Sequence, residues 1–394
     1  MKDTFDFDLC INREGTASLK YDGRQGMFGN PDVIPLWVAD MDFASPPAVT
    51  QALIARANHP INGYTVFPDS LYDSLINWLK LRHGWDIERE WIVMCPGVVP
   101  SLNAAITALT TTKDSVIVQP PVYFPFFSAV TDTGRNLLLN PLKFENNHYS
   151  IDFEHLEKCA ADARMILLCS PHNPVGRVWT KDELVRLLDI ADKNELIVIS
   201  DEIHSDLIYP EFKHQMLEQL SDKRKNIITA VAPSKTFNMP GLNLSALIIP
   251  DEIQRNAVKK VFDGLHVSAS NPFSIVAFEA AYCNGEEWLG ALLGYLKETR
   301  DFVLRYVKQN IPNIHVIEPE GTYLLWLDCH SLGLNDNQLR DFFIQHAGVG
   351  LSSGNWFGEA GSGFMRMNLA APRSVIETSL LNISNAIKSI KNVD

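Results

Sequence analysis

The six cysteines of this chain (Cys10, Cys95, Cys159, Cys169, Cys283 and Cys329) form no C-x-x-C pair and no spacing that a metal site uses. In a chain of 394 residues a disulfide framework is not expected, and reduced thiols in a cytoplasm are the default reading. Basic charge is scarce too. Against 47 acidic residues stand 34 lysines and arginines, a net charge of -13, which argues against nucleic acid and anionic membranes as partners. No apolar run approaches the length of a bilayer span, and the acidic start from Met1 to Asp8 lacks the apolar stretch of a signal peptide. Internal repeats, low-complexity tracts, G-x-S-x-G, Walker and zinc motifs are missing as well. What is present is a chain that is 46% hydrophobic, long enough for two domains or for one large and one small.

The middle of the chain alternates between two patterns. Residues 114–119, 164–170, 195–201, 226–231 and 244–249 are short apolar runs rich in β-branched residues. Between them lie helix-like stretches. Thr180 and Glu183 form a capping box ahead of Leu184, Leu187, Leu188 and Ala191 at helical spacing. Continuous rather than alternating hydrophobicity predicts a mostly parallel sheet covered on both faces. From Glu286 a long helix is expected, with Trp288, Leu292, Tyr295, Thr299, Phe302 and Tyr306 as one stripe and Pro312 as its stop. This places a large domain at 44–285 and a small α+β domain at 1–43 and 286–394.

Four polar residues fall just beyond predicted strands: Tyr123, Asn173, Asp201 and Lys235. In an open α/β sheet, ligands bind outside the carboxyl ends of strands. Taken singly each is equally at home as a loop residue, Asn173 as a turn before Pro174 and Asp201 as a helix cap. Together their chemistries are complementary. A lysine just past a buried strand is costly to desolvate, and an amine held there can lose its charge and become a nucleophile. An amide, a carboxylate and a lysine so placed are what a protein needs to hold pyridoxal 5′-phosphate (PLP). Gly97, Val98 and Val99 precede a predicted helix at 101–109, whose first amides suit a phosphate.

Eight motifs then occur in order: W-V-A-D-M-D-F (37–43), N-G-Y-T (62–65), P-G-V-V-P (96–100), P-P-V-Y (120–123), S-P-H-N-P-V-G-R (170–177), D-E-I-H-S-D (201–206), S-K-T-F-N (234–238) and R-M-N-L-A (366–370). With these the chain resembles the fold-type I PLP enzymes of the aspartate aminotransferase superfamily, and within them the cystathionine β-lyase-like C–S lyases of the MalY/PatB group. The resemblance implies an α/β fold, with a mostly parallel seven-stranded sheet sandwiched by helices and a smaller α+β domain. It implies that Lys235 links covalently to PLP and moves the substrate's Cα proton, and that Asp201 pairs with the protonated pyridine nitrogen. Asn173 is implied at the ring's 3-oxygen and the substrate carboxylate, and Tyr123 stacked on the ring with Phe124 beside it. Ser234 adds a hydroxyl to the phosphate, Arg366 clamps the substrate carboxylate, and Trp37 to Asp40, with Ala39, form the opposite wall through backbone donors. Tyr64 reaches the phosphate of a neighbouring subunit, so a homodimer is implied.

Two departures bear on the reaction. His204 stands where aminotransferases of the superfamily usually carry tyrosine, and Asn243 where they usually carry a phosphate-binding arginine; the histidine is shared with the C–S lyases. The expected activity is β-elimination from an L-amino acid such as cystathionine or cysteine, giving a thiol, pyruvate and ammonia. Two alternatives stay open, an aminotransferase with the same residues and a non-catalytic binding or regulatory protein on the same fold. Asp201, His204 and Asp206 could ligate a metal, but a histidine in an acidic helix is more often solvated or hydrogen-bonded, and no metal is expected. Residues 348–354 look faintly like a dinucleotide loop, but they follow a helix-like stretch rather than a strand.

Overall fold

The computed structural model describes residues 5–221 and 225–391, so the first four residues of the acidic start lie outside the described residues. The larger of its sheets holds seven strands: β1 (Ile92–Cys95), β2 (Ser115–Val118), β3 (Asn136–Leu139), β4 (Met165–Cys169), β5 (Ile197–Asp201), β6 (Ile227–Val231) and β7 (Ser245–Ile248). They lie in the order β1-β7-β6-β5-β4-β2-β3. Every neighbouring pair from β6 to β3 is parallel, and β7 runs antiparallel to β6 and β1. All residues of β4, β5 and β6 are buried, as continuous apolar runs covered on both faces require.

The five apolar runs all became strands, and two more strands were missed. β1, Ile92–Cys95, lies outside the five runs although all four of its residues are buried. β3 is an edge strand with exposed ends, so its pattern carries little signal. The parallel arrangement matters for function. It brings the carboxyl ends of β2, β4, β5 and β6 to one edge, so the segments carrying Tyr123, Asn173, Asp201 and Lys235 all leave the sheet on the same side.

Four helices shape the site and its support: α1 (Val98–Leu109), α2 (Lys181–Lys193), α3 (Pro233–Thr236) and α4 (Glu286–Asn310). The expected capping box opens α2, with Thr180 and Glu183 bonding each other's backbone amides. α1 starts three residues before its predicted position, so Val98 and Val99 are its first residues. Gly97 caps it at φ 124° and ψ 159°, a backbone region open essentially to glycine alone.

α4 runs as predicted, but its buried face is not the predicted stripe. Trp288, Leu289, Leu292, Leu296, Thr299, Arg300, Val303 and Val307 are buried, whereas Tyr295, Phe302 and Tyr306 are half-buried. The reason is that α4 serves two cores. Its first half packs with Trp78, Phe237 and Phe278, and its second half packs with Leu325, Phe343 and Met367. A helix that changes partners along its length has no single stripe.

The smaller sheet has four antiparallel strands, β8 (His315–Ile317), β9 (Leu324–Asp328), β10 (Ser352–Ser353) and β11 (Phe364–Asn368), in the order β8-β9-β11-β10. Arg366 sits on β11 between Trp326 of β9 and Ser352 of β10. Residues 348–354 run through two short strands, at Val349–Gly350 and at β10, and open no strand-to-helix phosphate loop.

Candidate active site

A cavity of about 250 Å³ lies at the shared edge of the larger sheet, lined by Val98, Val99, Tyr123, Asn173, Asp201, His204, Ser234, Lys235 and Asn243, with Ala39 closing one side. Lys235 comes from α3, the single turn that follows β6. Its Nζ opens to the cavity but is otherwise ringed by protein, and burial, helped by the nearby Arg366, lowers its pKa to about 8 from the ordinary 10.5. Nζ donates a 2.7 Å hydrogen bond to the carbonyl of Ala39. The helix that carries it is tied down next door: the Thr236 hydroxyl donates to Asp206 at 2.9 Å, and Asp206 also takes Trp78 Nε1 at 3.2 Å and faces His83 Nε2 at 2.9 Å.

Asp201 ends β5 and is buried, which raises its carboxyl to about 7, while the Ile203 amide (3.2 Å) and Lys235 pull it back down. Such a carboxyl is short of a cationic partner. His204 is buried and packs edge-on against Tyr323. Burial, and then Lys235 and Arg366, push its pKa down to about 3, so its ring is neutral. Its Nδ1 is a buried polar atom without a protein partner.

Asn173 links the two sheets. Its carbonyl accepts the Tyr123 amide at 3.0 Å, and its Oδ1 accepts Arg366 Nη1 at 3.0 Å. Arg366 Nη2 donates to the Trp37 carbonyl at 2.8 Å, its guanidinium lies 4.8 Å from the Phe357 ring centre, and its Nε is buried without a partner. Burial lowers Arg366 to about 10, which still leaves it cationic at neutral pH. Tyr123 stands against Phe124 with ring centres 5.0 Å apart, and burial raises its hydroxyl pKa.

The structure therefore brings together all the residues expected at the site except one. Tyr64 is fully exposed and lies in a separate surface cleft with Asn62, Thr65, Ser268 and Phe273. The wall at Trp37 to Asp40 turns the carbonyls of Trp37 and Ala39 toward Arg366 and Lys235 as acceptors. Asp206 is engaged by Trp78, His83 and Thr236, which leaves it unsuited to join Asp201 and His204 as a metal ligand.

Sequence reasoning missed the groups that hold that wall. Tyr323 donates its hydroxyl to Ala39 at 2.9 Å, and Asn368 Nδ2 bonds the carbonyls of Val38 and Asp40 at 2.7 and 2.6 Å. The asparagine in R-M-N-L-A was a usable signal for Asn368. Tyr323, inside an apolar run, offered none.

The residues present fit PLP. Asp201 lacks a cation where a pyridinium would supply one, and the His204 Nδ1 and Asn173 amide offer partners to a ring oxygen. The first amides of α1, with the Ser234 hydroxyl, form a cradle for a phosphate. Because the neutral amine is the nucleophile, capture of PLP by the cofactor-free protein is expected to speed up with rising pH and level off above about 8. The check is the rate of appearance of the cofactor's visible band, and a midpoint near the ordinary 10.5 would show that Lys235 is not desolvated.

Residues 31–378 match the family model for aminotransferase class I and II. Cystathionine β-lyase PatB of Bacillus subtilis is 39% identical over 97% of this chain and 99% of that protein. Among solved structures, a PLP-bound protein of Clostridium difficile that carries an aminotransferase name matches with a TM-score of 0.96 at 44% identity, covering 97% of this chain and 100% of that one. The PLP-bound C–S lyase of Staphylococcus hominis matches with a TM-score of 0.91 at 32% identity, covering 97% of this chain and 98% of that one.

Proposed function

The chain belongs to the aminotransferase class I and II family, and we propose that within it the protein is a PLP-dependent carbon–sulfur β-lyase acting on L-cysteine thioethers of the cystathionine type. The observation that carries this reading is the meeting on one cavity of a desolvated lysine, a carboxyl lacking a cation and an amide, Asn173, that holds an arginine behind it. When bound, PLP supplies the electron sink that makes the substrate's Cα proton removable.

The chain's own residues do the rest. Lys235 would hold the cofactor until substrate displaces it, and its freed Nζ then takes the Cα proton. With a pKa near 8 the amine is in part unprotonated at neutral pH, and the Ala39 carbonyl at 2.7 Å receives the ammonium that forms. Asp201 would keep the ring nitrogen protonated. Arg366, positioned by Asn173 and the Trp37 carbonyl, takes the substrate carboxylate. The Cα–H and Cβ–S bonds break, the sulfur leaves as a thiol with a proton, and water converts the remaining three-carbon enamine to pyruvate and ammonia.

A second reading is favoured by the aminotransferase name of the Clostridium difficile relative. The same lysine would then return its proton to the cofactor's carbon rather than permit elimination. Incubation of the holoenzyme with L-cystathionine and no 2-oxo-acid acceptor separates the two. Pyruvate and thiol in equal amounts are expected, and amino-group transfer dependent on an added acceptor would overturn the lyase reading.

The division into a large domain at 44–285 and a small one at 1–43 with 286–394 belongs to this reading, supported by the two sheets and their separate cores. So does a homodimer in the cytoplasm in which Tyr64 serves the neighbouring subunit. In support, Tyr64 is exposed beside Ile61 and Val66, themselves 68% and 80% exposed, an apolar surface that suits a second copy. A monomer in sedimentation equilibrium would overturn the dimer. Among the described residues no helix is long and apolar enough to cross a membrane.

A further inference from the structure

Beside the cavity that holds Lys235 lies a second one of about 530 Å³, and the two share Ala39, Tyr123 and Lys235. Its other walls are Leu19, Met27, Trp37, Val38, Phe124 and Trp356, with Ser352 and Arg366 at its base. The Ser352 hydroxyl already donates to the Trp37 carbonyl at 3.0 Å, and the Trp37 ring nitrogen to the Lys20 carbonyl at 3.1 Å. Two charged side chains line it, Lys235 and Arg366, and both have tasks in the reaction. Three further cations near these walls have other partners, among them Arg340, which donates to the Met27 carbonyl at 2.6 Å. Arg13 is paired with Asp40 and Asp42 at 2.7 Å each, and buried Lys20 with Asp42 at 2.8 Å. At the mouth, Leu19 and Phe124 are 66% and 46% exposed, large apolar groups left open to an incoming molecule.

A substrate whose carboxylate meets Arg366 and whose Cα faces Lys235 has this second cavity as the space next to its sulfur. We propose that it receives the sulfur substituent, and that the enzyme prefers L-cysteine thioethers whose substituent is uncharged and apolar, alkyl or aryl, over those ending in a charged head such as cystathionine. The inference rests on the β-lyase reading and narrows it. The physical reason is asymmetric. An apolar chain gains by leaving water for these walls, whereas an ammonium at the substituent's end loses hydration and meets no carboxylate among the lining residues, and a carboxylate there meets only Lys235 and Arg366, which have other tasks.

The test uses holoenzyme and three substrates with similar alkyl thiol leaving groups: S-butyl-L-cysteine, S-(2-carboxyethyl)-L-cysteine and L-cystathionine. The kcat/KM for pyruvate release from the butyl compound is expected to exceed that of either charged compound by on the order of tenfold or more. Leu19→Arg, at an exposed position that tolerates a long cation, is expected to raise the carboxyethyl compound relative to the butyl one by roughly fivefold or more, with the cofactor band retained as a check on folding. Trp356→Ala is expected to erode the advantage of the butyl compound. Equal or reversed preference among substrates that do release pyruvate would overturn the inference and leave the lyase reading standing. No pyruvate from any of the three would overturn both.

Discussion

Lys235→Ala is expected to lose the visible absorbance of covalently held cofactor and to lower turnover by about 10³-fold or more, since one side chain both links the cofactor and moves the Cα proton. The same change is expected to stabilise the cofactor-free protein at pH 7. An amine whose pKa falls from 10.5 unfolded to about 8 folded opposes folding, because the unfolded chain binds its proton more tightly. That penalty is full below pH 8, shrinks as pH rises through the folded pKa, and vanishes above 10.5. Lys235 also borders a cavity, so its removal leaves little new void. Denaturant midpoints of the two apoproteins at pH 7 and pH 10 give the check, with the alanine variant ahead at the lower pH and the gap narrowing at the higher. An alanine variant that keeps the band and turns over normally would remove Lys235 from the site.

Asp201→Asn is expected to have the second largest effect. Asparagine keeps the size and cannot carry the charge. In the protein without a cationic partner the carboxyl sits near 7, held up by burial, so a protonated ring nitrogen opposite it supplies what the site lacks. Loss of that pairing is expected to weaken PLP binding by on the order of 10- to 100-fold and to lower kcat by about 10²-fold or more, because the ring no longer keeps the proton that makes it electron-withdrawing. Asp201→Glu is expected to recover part of both. Titration of apoprotein with PLP and single-turnover rates measure the two losses separately. Turnover within twofold of the parent in the asparagine variant would show that Asp201 does not touch the ring nitrogen.

These two residues were legible in the chain because their positions are local properties. Lys235 and Asp201 each follow a run of buried β-branched residues, and a parallel sheet places all such ends on one edge. Asn173 and Tyr123 were found by the same logic. Arg366 was different. Nothing in its immediate surroundings sets it apart from an arginine in any strand, and only the resemblance of R-M-N-L-A to a family motif singled it out.

Other parts were not legible. The stripe on α4 was misread because the helix passes from one core to another. β3 escaped because an exposed edge strand gives a weak pattern. That the Trp37 and Ala39 carbonyls accept from Arg366 and Lys235 was not legible either, since hydrogen-bond polarity depends on which way each peptide faces and the residue names do not record it.

By itself the sequence determined the chemistry available: which strands end in which functional groups, and that an amine, a carboxyl and an amide would share an edge. Tertiary structure decided what those groups experience. The lowered pKa of Lys235 and the raised pKa of Asp201 come from desolvation by segments distant in the chain. The contact of Arg366 with Asn173, 193 positions away, joins the smaller sheet to the larger. The apolar second cavity is assembled from residues between Leu19 and Arg366. Side-chain identity is written in order along the chain, whereas dielectric surroundings and cavity walls exist only once distant segments pack.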